Sequence, residues 1–243
     1  MRMKTRIRVC RAAYLLLACL SFGACGGWSD ARNSPSSFGN PQAIALAEAV
    51  KKGDLRGIKQ LIASGASPNA ANSDDLTMLD WALKFDEPRA FEQLLAHGAD
   101  PNQLHIAGAT TLFFVAYNPD PKWLKMLLKA GADPNIAADG GDTAAFNTLS
   151  TDTIDNLKLL LDAGADINHQ NSMGYTVAMQ AAELFKYHIV LYLLQRGACV
   201  TPMNKWGQDL RAITNMTKPA DPGREANRQH VLRFLEKNAA STC

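Results

Sequence analysis

A pair of large apolar residues recurs along this chain at a fixed interval. Leu61-Ile62, Leu94-Leu95, Leu127-Leu128, Leu160-Leu161 and Leu193-Leu194 each lie 33 residues after the last. Each doublet leads into Gly-Ala, at Gly65, Gly98, Gly131, Gly164 and Gly197. Glycine in that place lets a chain leave a helix through a left-handed conformation that other residues adopt at a cost. A threonine keeps the same interval at Thr77, Thr110, Thr143 and Thr176, and an asparagine at Asn69, Asn102, Asn135 and Asn168. Several residue types sharing one period predict an all-α solenoid of helical repeats. Each unit is read as a short helix from the threonine, a break, a second helix ending in the doublet, and a turn. A buried leucine contributes about 1.5–3 kcal/mol only when a neighbouring repeat covers it, so no unit is expected to fold alone.

The period and its threonine-led motif resemble those of ankyrin repeats, over residues 42–243. Thr77-Met78-Leu79-Asp80-Trp81-Ala82 keeps the threonine, leucine and alanine of the family's Thr-Pro-Leu-His-x-Ala. Thr110-Thr111-Leu112-Phe113-Phe114-Val115 keeps threonine and leucine, and the stretches from Thr143 and Thr176 keep less. The family's histidine is replaced by Asp80, Phe113, Phe146 and Met179, so its hydrogen bonds between repeats are expected to give way to apolar packing. About six units follow, the first from Ile44 to Asn69 and the sixth beginning at Trp206-Gly207. Lys218 to Gly223 lengthens the sixth, and its two prolines and glycine predict an exposed loop.

The resemblance implies non-catalytic protein recognition through a concave face built from the turn tips and the first helices. The fourth and seventh residues after the threonine are Trp81 and Lys84, then Phe114 and Tyr117, whereas Asn147, Ser150, Gln180 and Glu183 follow in the next two repeats. Phe85, Leu104 and Ile106 extend the apolar half, and Met203 with Trp206 makes a second patch on the last tip. These residues form the expected partner-binding set, since exposed aromatics dominate interface hot spots. Two alternatives stand beside it: a helix register shifted by one residue, or a fold-back of the segment around Trp28 and Phe38 over the aromatics.

The first residues carry a different message. Arg2, Lys4, Arg6, Arg8 and Arg11 precede the apolar run Ala12 to Phe22 with no acid among them, as in a secretory signal peptide over residues 1–24. Phe22-Gly23-Ala24-Cys25 resembles a bacterial lipoprotein signal, which implies lipidation at Cys25, with Phe22 where leucine is usual. Cleavage near Gly23 without lipidation, or use of Cys19, are the other readings. No acid follows Cys25 directly, which in such lipoproteins implies the periplasmic side of the outer membrane. Residues 25–41, rich in Gly, Ser, Pro and Asn, read as a flexible tether.

Loss of residues 1–24 changes the charge, because it removes five of the 25 Lys and Arg and none of the 23 Asp and Glu, leaving a net charge of −3. No nucleic-acid footprint remains. With Cys25 lipidated, Cys199 and Cys243 are left as either a disulfide or two unpaired thiols. The five histidines show no i, i+4 pair, and neither a phosphate-binding glycine loop nor a Gly-x-Ser-x-Gly elbow occurs. Asp100, Asp133 and Asp166 beside the Gly-Ala turns read as turn and cap chemistry. The expectation is therefore no enzyme, no metal and no cofactor. The chain reads as a protein-binding lipoprotein that touches membrane through its anchor alone. Its expected role is that of an immunity or inhibitor protein against a secreted effector, or of a periplasmic scaffold or stress-protection protein.

Overall fold

The computed structural model describes residues 34–151, 154–238 and 243. The expected signal peptide, Cys25 and most of the tether lie outside the described residues. Twelve α-helices are found among the described residues, in six pairs: α1 Pro41–Lys51 with α2 Leu55–Ala63, α3 Met78–Lys84 with α4 Pro88–Ala96, α5 Thr111–Val115 with α6 Lys122–Lys129, α7 Ala144–Asn147 with α8 Asp155–Asp162, α9 Val177–Glu183 with α10 Tyr187–Gln195, and α11 Leu210–Met216 with α12 Pro222–Lys237. The described residues contain no strand, only isolated bridges at the turn tips, Ala71 to Thr77 and Leu104 to Thr110.

The recurrent residues each have a local task. Gly65, Gly98, Gly131, Gly164 and Gly197 all have φ between 87° and 102°, which is why the interval never breaks at glycine. The alanine that follows donates its N–H back to the first residue of the doublet, as from Ala66 to Leu61 at 3.0 Å and Ala99 to Leu94 at 2.9 Å. The glycine N–H bonds one residue further on, Gly65 to Ile62 at 3.0 Å, which satisfies the last carbonyls of the helix in a Schellman turn. Asp100, Asp133 and Asp166 each accept the N–H of the residue two further on at 2.8 Å, the turn role read from their position.

The asparagines do more. Asn69 Nδ2 donates to Gly98 O at 3.1 Å while its Oδ1 accepts Asp100 N–H at 2.7 Å. Asn135 makes the same pair with Gly164 O at 3.0 Å and Asp166 N at 2.7 Å. Asn102 reaches Gly131 O at 3.3 Å, and Asn168 accepts Cys199 N–H at 2.7 Å. One carboxamide thus clamps the backbone of the following Gly-Ala turn, giving partners to turn groups that lie beyond the helix end.

The chain divides into two compact units, the residues up to Phe114 with Lys129–Gly131, and Val115–Leu128 with Ala132–Cys243. In the first, α1 packs on α2 and α3, and α2 on α4, around Leu46, Val50, Ile58, Leu79, Phe91 and Leu94. Thr77 caps α3, accepting Asp80 N–H at 3.2 Å while its own N–H reaches Asp80 Oδ2 at 3.0 Å, a reciprocal capping box. In the second unit, α10 packs on α9 and α12, and α11 on α9 and α12. Leu160, Val177, Val190, Leu193, Ile213 and Val231 fill its core.

Three expectations are corrected here. The tether does not extend to residue 41: Pro35–Phe38 form a single turn of 3-10 helix capped by Ser34, and Asn40 caps α1 with Pro41 in its first turn. Phe38 is buried, and Ser73 N–H bonds Ser37 O at 3.0 Å. The residues from Lys218 are not all loop, because Asp221 accepts Arg224 N–H at 2.7 Å and starts α12 at Pro222. The missing family histidine is not simply exchanged for apolar packing, since Thr111 Oγ1 donates to the buried Asp80 Oδ1 at 2.9 Å and links two repeats. At the C-terminus the sulfurs of Cys199 and Cys243 are joined, with Cα atoms 5.3 Å apart. This ties the chain end to the last Gly-Ala turn.

Candidate functional site

The first unit holds Trp81, Lys84, Phe85, Leu104, Ile106 and Phe114. Trp81 is 0% exposed and so is withdrawn from the partner-binding set. Its indole N–H donates to Ala47 O at 3.0 Å, and Phe38 meets its ring edge-on at 5.3 Å. The register read from the threonine is correct for this helix. The tryptophan is lost to solvent because the segment before α1 folds over it, together with Phe85 at 4.9 Å. Lys84 and Phe85 are half-buried, with the Lys84 ammonium 4.9 Å from the Trp81 ring. Phe114 is half-buried between Phe113 at 5.5 Å and His105 at 5.1 Å.

His105 belongs to no motif in the sequence, yet its side chain is buried 3.5 Å from Asp80 Oδ2. It anchors a turn tip whose Ala107 has φ of 59° and which holds Leu104 at 57% exposure. Ile106 begins the short 3-10 segment of that tip, and its side chain lies outside the described residues.

In the second unit Tyr117 is exposed, and Met203 and Trp206 are each 61% exposed. Two residues outside the expected set are exposed as well, Met216 at 69% and Leu184 at 43%. Trp206 packs edge-on to Tyr175 at 6.0 Å, and Tyr175 OH donates to Glu183 at 2.6 Å. Burial, followed by the Glu183 carboxylate, pushes the Tyr175 phenol up to about 12, so it stays a donor at neutral pH. Gln208 Nε2 contacts Met216 Sδ at 3.1 Å, while Asn204 accepts the Trp206 and Gln208 N–H groups at 3.0 Å. The tip that carries Trp206 therefore has a fixed backbone. It also lies tight on the preceding tip, because a Cβ on Gly174 would come within 2.9 Å of Met203 O.

Among the described residues no group of three His, Cys, Asp or Glu is arranged to hold a metal ion, and no helix is long and apolar enough to cross a membrane. Half-buried Asp142 has a raised pKa, caused first by burial and opposed by the Asn171 hydrogen bond at 2.7 Å and by His169. Its place between two turn tips gives it a structural part.

Residues 112–204 match the family described as ankyrin repeats (3 copies). An ankyrin repeat domain from Acinetobacter baumannii AYE superposes with a TM-score of 0.68 at 23% identity, covering 79% of this chain and 97% of that one. The ankyrin repeat protein EF0377 gives 0.65 at 22% identity, covering 79% and 96%. No curated protein matches.

Two outcomes follow from these placements. Trp81→Ala should destabilise the protein by about 3–5 kcal/mol in urea titration, as a core truncation does; a loss under about 1 kcal/mol would mean that the ring is not core. For Asp142, a folded pKa above the unfolded one means that its contribution is present at low pH and is lost as pH rises through the folded value. Asp142→Asn should therefore gain stability relative to the parent between pH 3 and 7, and a difference that is flat or falls with pH would contradict the burial argument. Residues 112–204 match the ankyrin-repeat family, and the described residues take the ankyrin-repeat fold.

Proposed function

We propose that this chain is a non-catalytic protein-binding module, and that its second unit grips a partner through Met203, Trp206, Met216 and Leu184. The observation that carries the reading is the exposure of these four large apolar side chains, with Met203 and Trp206 on a tip of fixed backbone and Met216 against Gln208 beside it. Scattered exposed apolar residues are ordinary, but a tryptophan and two methionines about one tip form a hot-spot composition. Methionine adapts its shape to a partner, while the Trp206 ring, braced by Tyr175, supplies the rigid part.

The proposal extends to place. The basic and apolar first residues with Cys25 support an envelope lipoprotein on the periplasmic side of the outer membrane, and the Cys199–Cys243 pair suits an oxidising compartment. An anchored binder of this kind serves as an immunity or inhibitor protein that meets a secreted effector at the membrane. The test is capture from envelope extract by the full chain and by Met203→Ala/Trp206→Ala/Met216→Ala. The triple variant should lose at least tenfold in captured partner while keeping its helical circular dichroism. Undiminished capture would remove this surface from the account.

A further inference from the structure

The described residues hold six methionines, and burial divides them. Met78 and Met179 are 0% and 1% exposed, Met126 and Met173 are half-buried, and Met203 and Met216 stand at 61% and 69%. Both exposed thioethers belong to the surface that carries Trp206. One of them has a neighbour that partner binding alone does not require. Gln208 Nε2 donates to Met216 Sδ at 3.1 Å, although an exposed amide can give the same N–H to water, a better acceptor than a thioether. We propose that Met203 and Met216 are a site of reversible oxidation to methionine sulfoxide, through which a peroxide-class oxidant turns this surface polar and releases the bound partner.

This switch rests on the reading of the second unit as a protein binder and names how that surface is regulated. A sulfur lone pair attacks one peroxide oxygen, and the S–O bond forms as the O–O bond breaks. The proton of the attacked oxygen passes to the departing hydroxide, which leaves as water, and sulfur loses the two electrons that the peroxide gains. A dithiol reductant reverses the step, its two thiols closing to a disulfide while the sulfoxide oxygen leaves as water. The oxidant must touch sulfur, so exposure sets the order of reaction, and the core thioethers of Met78 and Met179 are shielded. The fold therefore survives a change confined to the surface.

The surroundings of Met216 suit the product better than the thioether. A sulfoxide oxygen accepts hydrogen bonds strongly, and the Gln208 amide already lies at the sulfur. Gln208 is itself held, since its Oε1 accepts Asn204 Nδ2 at 2.9 Å while Asn204 Oδ1 takes the Trp206 and Gln208 N–H groups. With that N–H on one side of the sulfur, the two lone pairs of Met216 are unequal, and oxygen adds to one of them in excess. A sulfoxide pressed against an apolar partner leaves its oxygen without a donor, which weakens binding by roughly tenfold or more.

The test treats the full-length protein with hydrogen peroxide, removes the peroxide with catalase, and maps oxygen uptake at each methionine by peptide mass spectrometry. Met203 and Met216 should be oxidised at least tenfold faster than Met78 and Met179, with unchanged helical circular dichroism. Epimer-specific sulfoxide reductases should find one Met216 epimer at least threefold in excess, and Gln208→Ala should abolish that excess. The oxidised chain should capture at least tenfold less partner from envelope extract, and reductase treatment should restore capture. Equal oxidation of exposed and buried methionines, or undiminished capture by the oxidised chain, would each overturn the switch; equal Met216 epimers in the parent would overturn the part given to Gln208. If oxidation leaves capture unchanged while Trp206→Ala still abolishes it, the switch fails and the protein-binding reading stands. An untreated chain that captures nothing overturns that reading, and the switch with it.

Discussion

One carboxamide per repeat carries the strain of holding this chain in register. The left-handed turn that ends each second helix presents a glycine carbonyl and, two residues on, a backbone amide toward the preceding turn tip, where a side chain can take the place of water. Asn69 and Asn135 do so with both ends of the side chain, and Asn102 and Asn168 with at least one. Leucine burial supplies most of the free energy, but it is non-directional and would tolerate sliding. The asparagine clamp is directional, and it fixes one spacing. Its geometry needs the Gly-Ala turn at a constant distance along the chain, so the two features share a period.

Held in this way, the turn tips become firm enough to display side chains. The tip that carries Trp206 hangs on Asn204 and lies against the tip before it, where only a glycine at Gly174 permits the approach. The tip with Leu104 is anchored differently, through the buried His105 beside Asp80 and Phe114. A display surface on loops needs such anchoring, because ordering a loop at the moment of binding would cost affinity. The joined Cys199 and Cys243 fasten residue 243 to the turn that follows α10.

Much of the fold was legible in the sequence because its signals are local and repeated. Threonine caps, apolar doublets and Gly-Ala turns each report on their own helix, and the period multiplies them. The burial of Trp81 was not legible in the same way, since the residue that covers it, Phe38, belongs to a stretch with the composition of a linker. Ser34-Pro35 and Asn40-Pro41 were nonetheless two helix-start signatures in that stretch. Met216 and Leu184 were within reach too. Met216 stands 33 residues after Glu183, and Leu184 stands 99 after Phe85, in the same columns of the repeat as residues already singled out. Asp80 illustrates the remaining gap: the motif says that histidine is absent, but only the fold shows that a carboxylate in its place accepts from both Thr77 and Thr111.

The clamp is most directly tested by Asn135→Ala, read by urea denaturation together with native-state hydrogen exchange at the Asp166 amide. Loss of two exposed hydrogen bonds to a neighbouring turn should cost about 1 kcal/mol. The Asp166 amide should lose protection while the amides inside α9 keep theirs relative to the new global stability. Unchanged stability together with an equally protected Asp166 amide would contradict the claim that the carboxamide holds one repeat to the next.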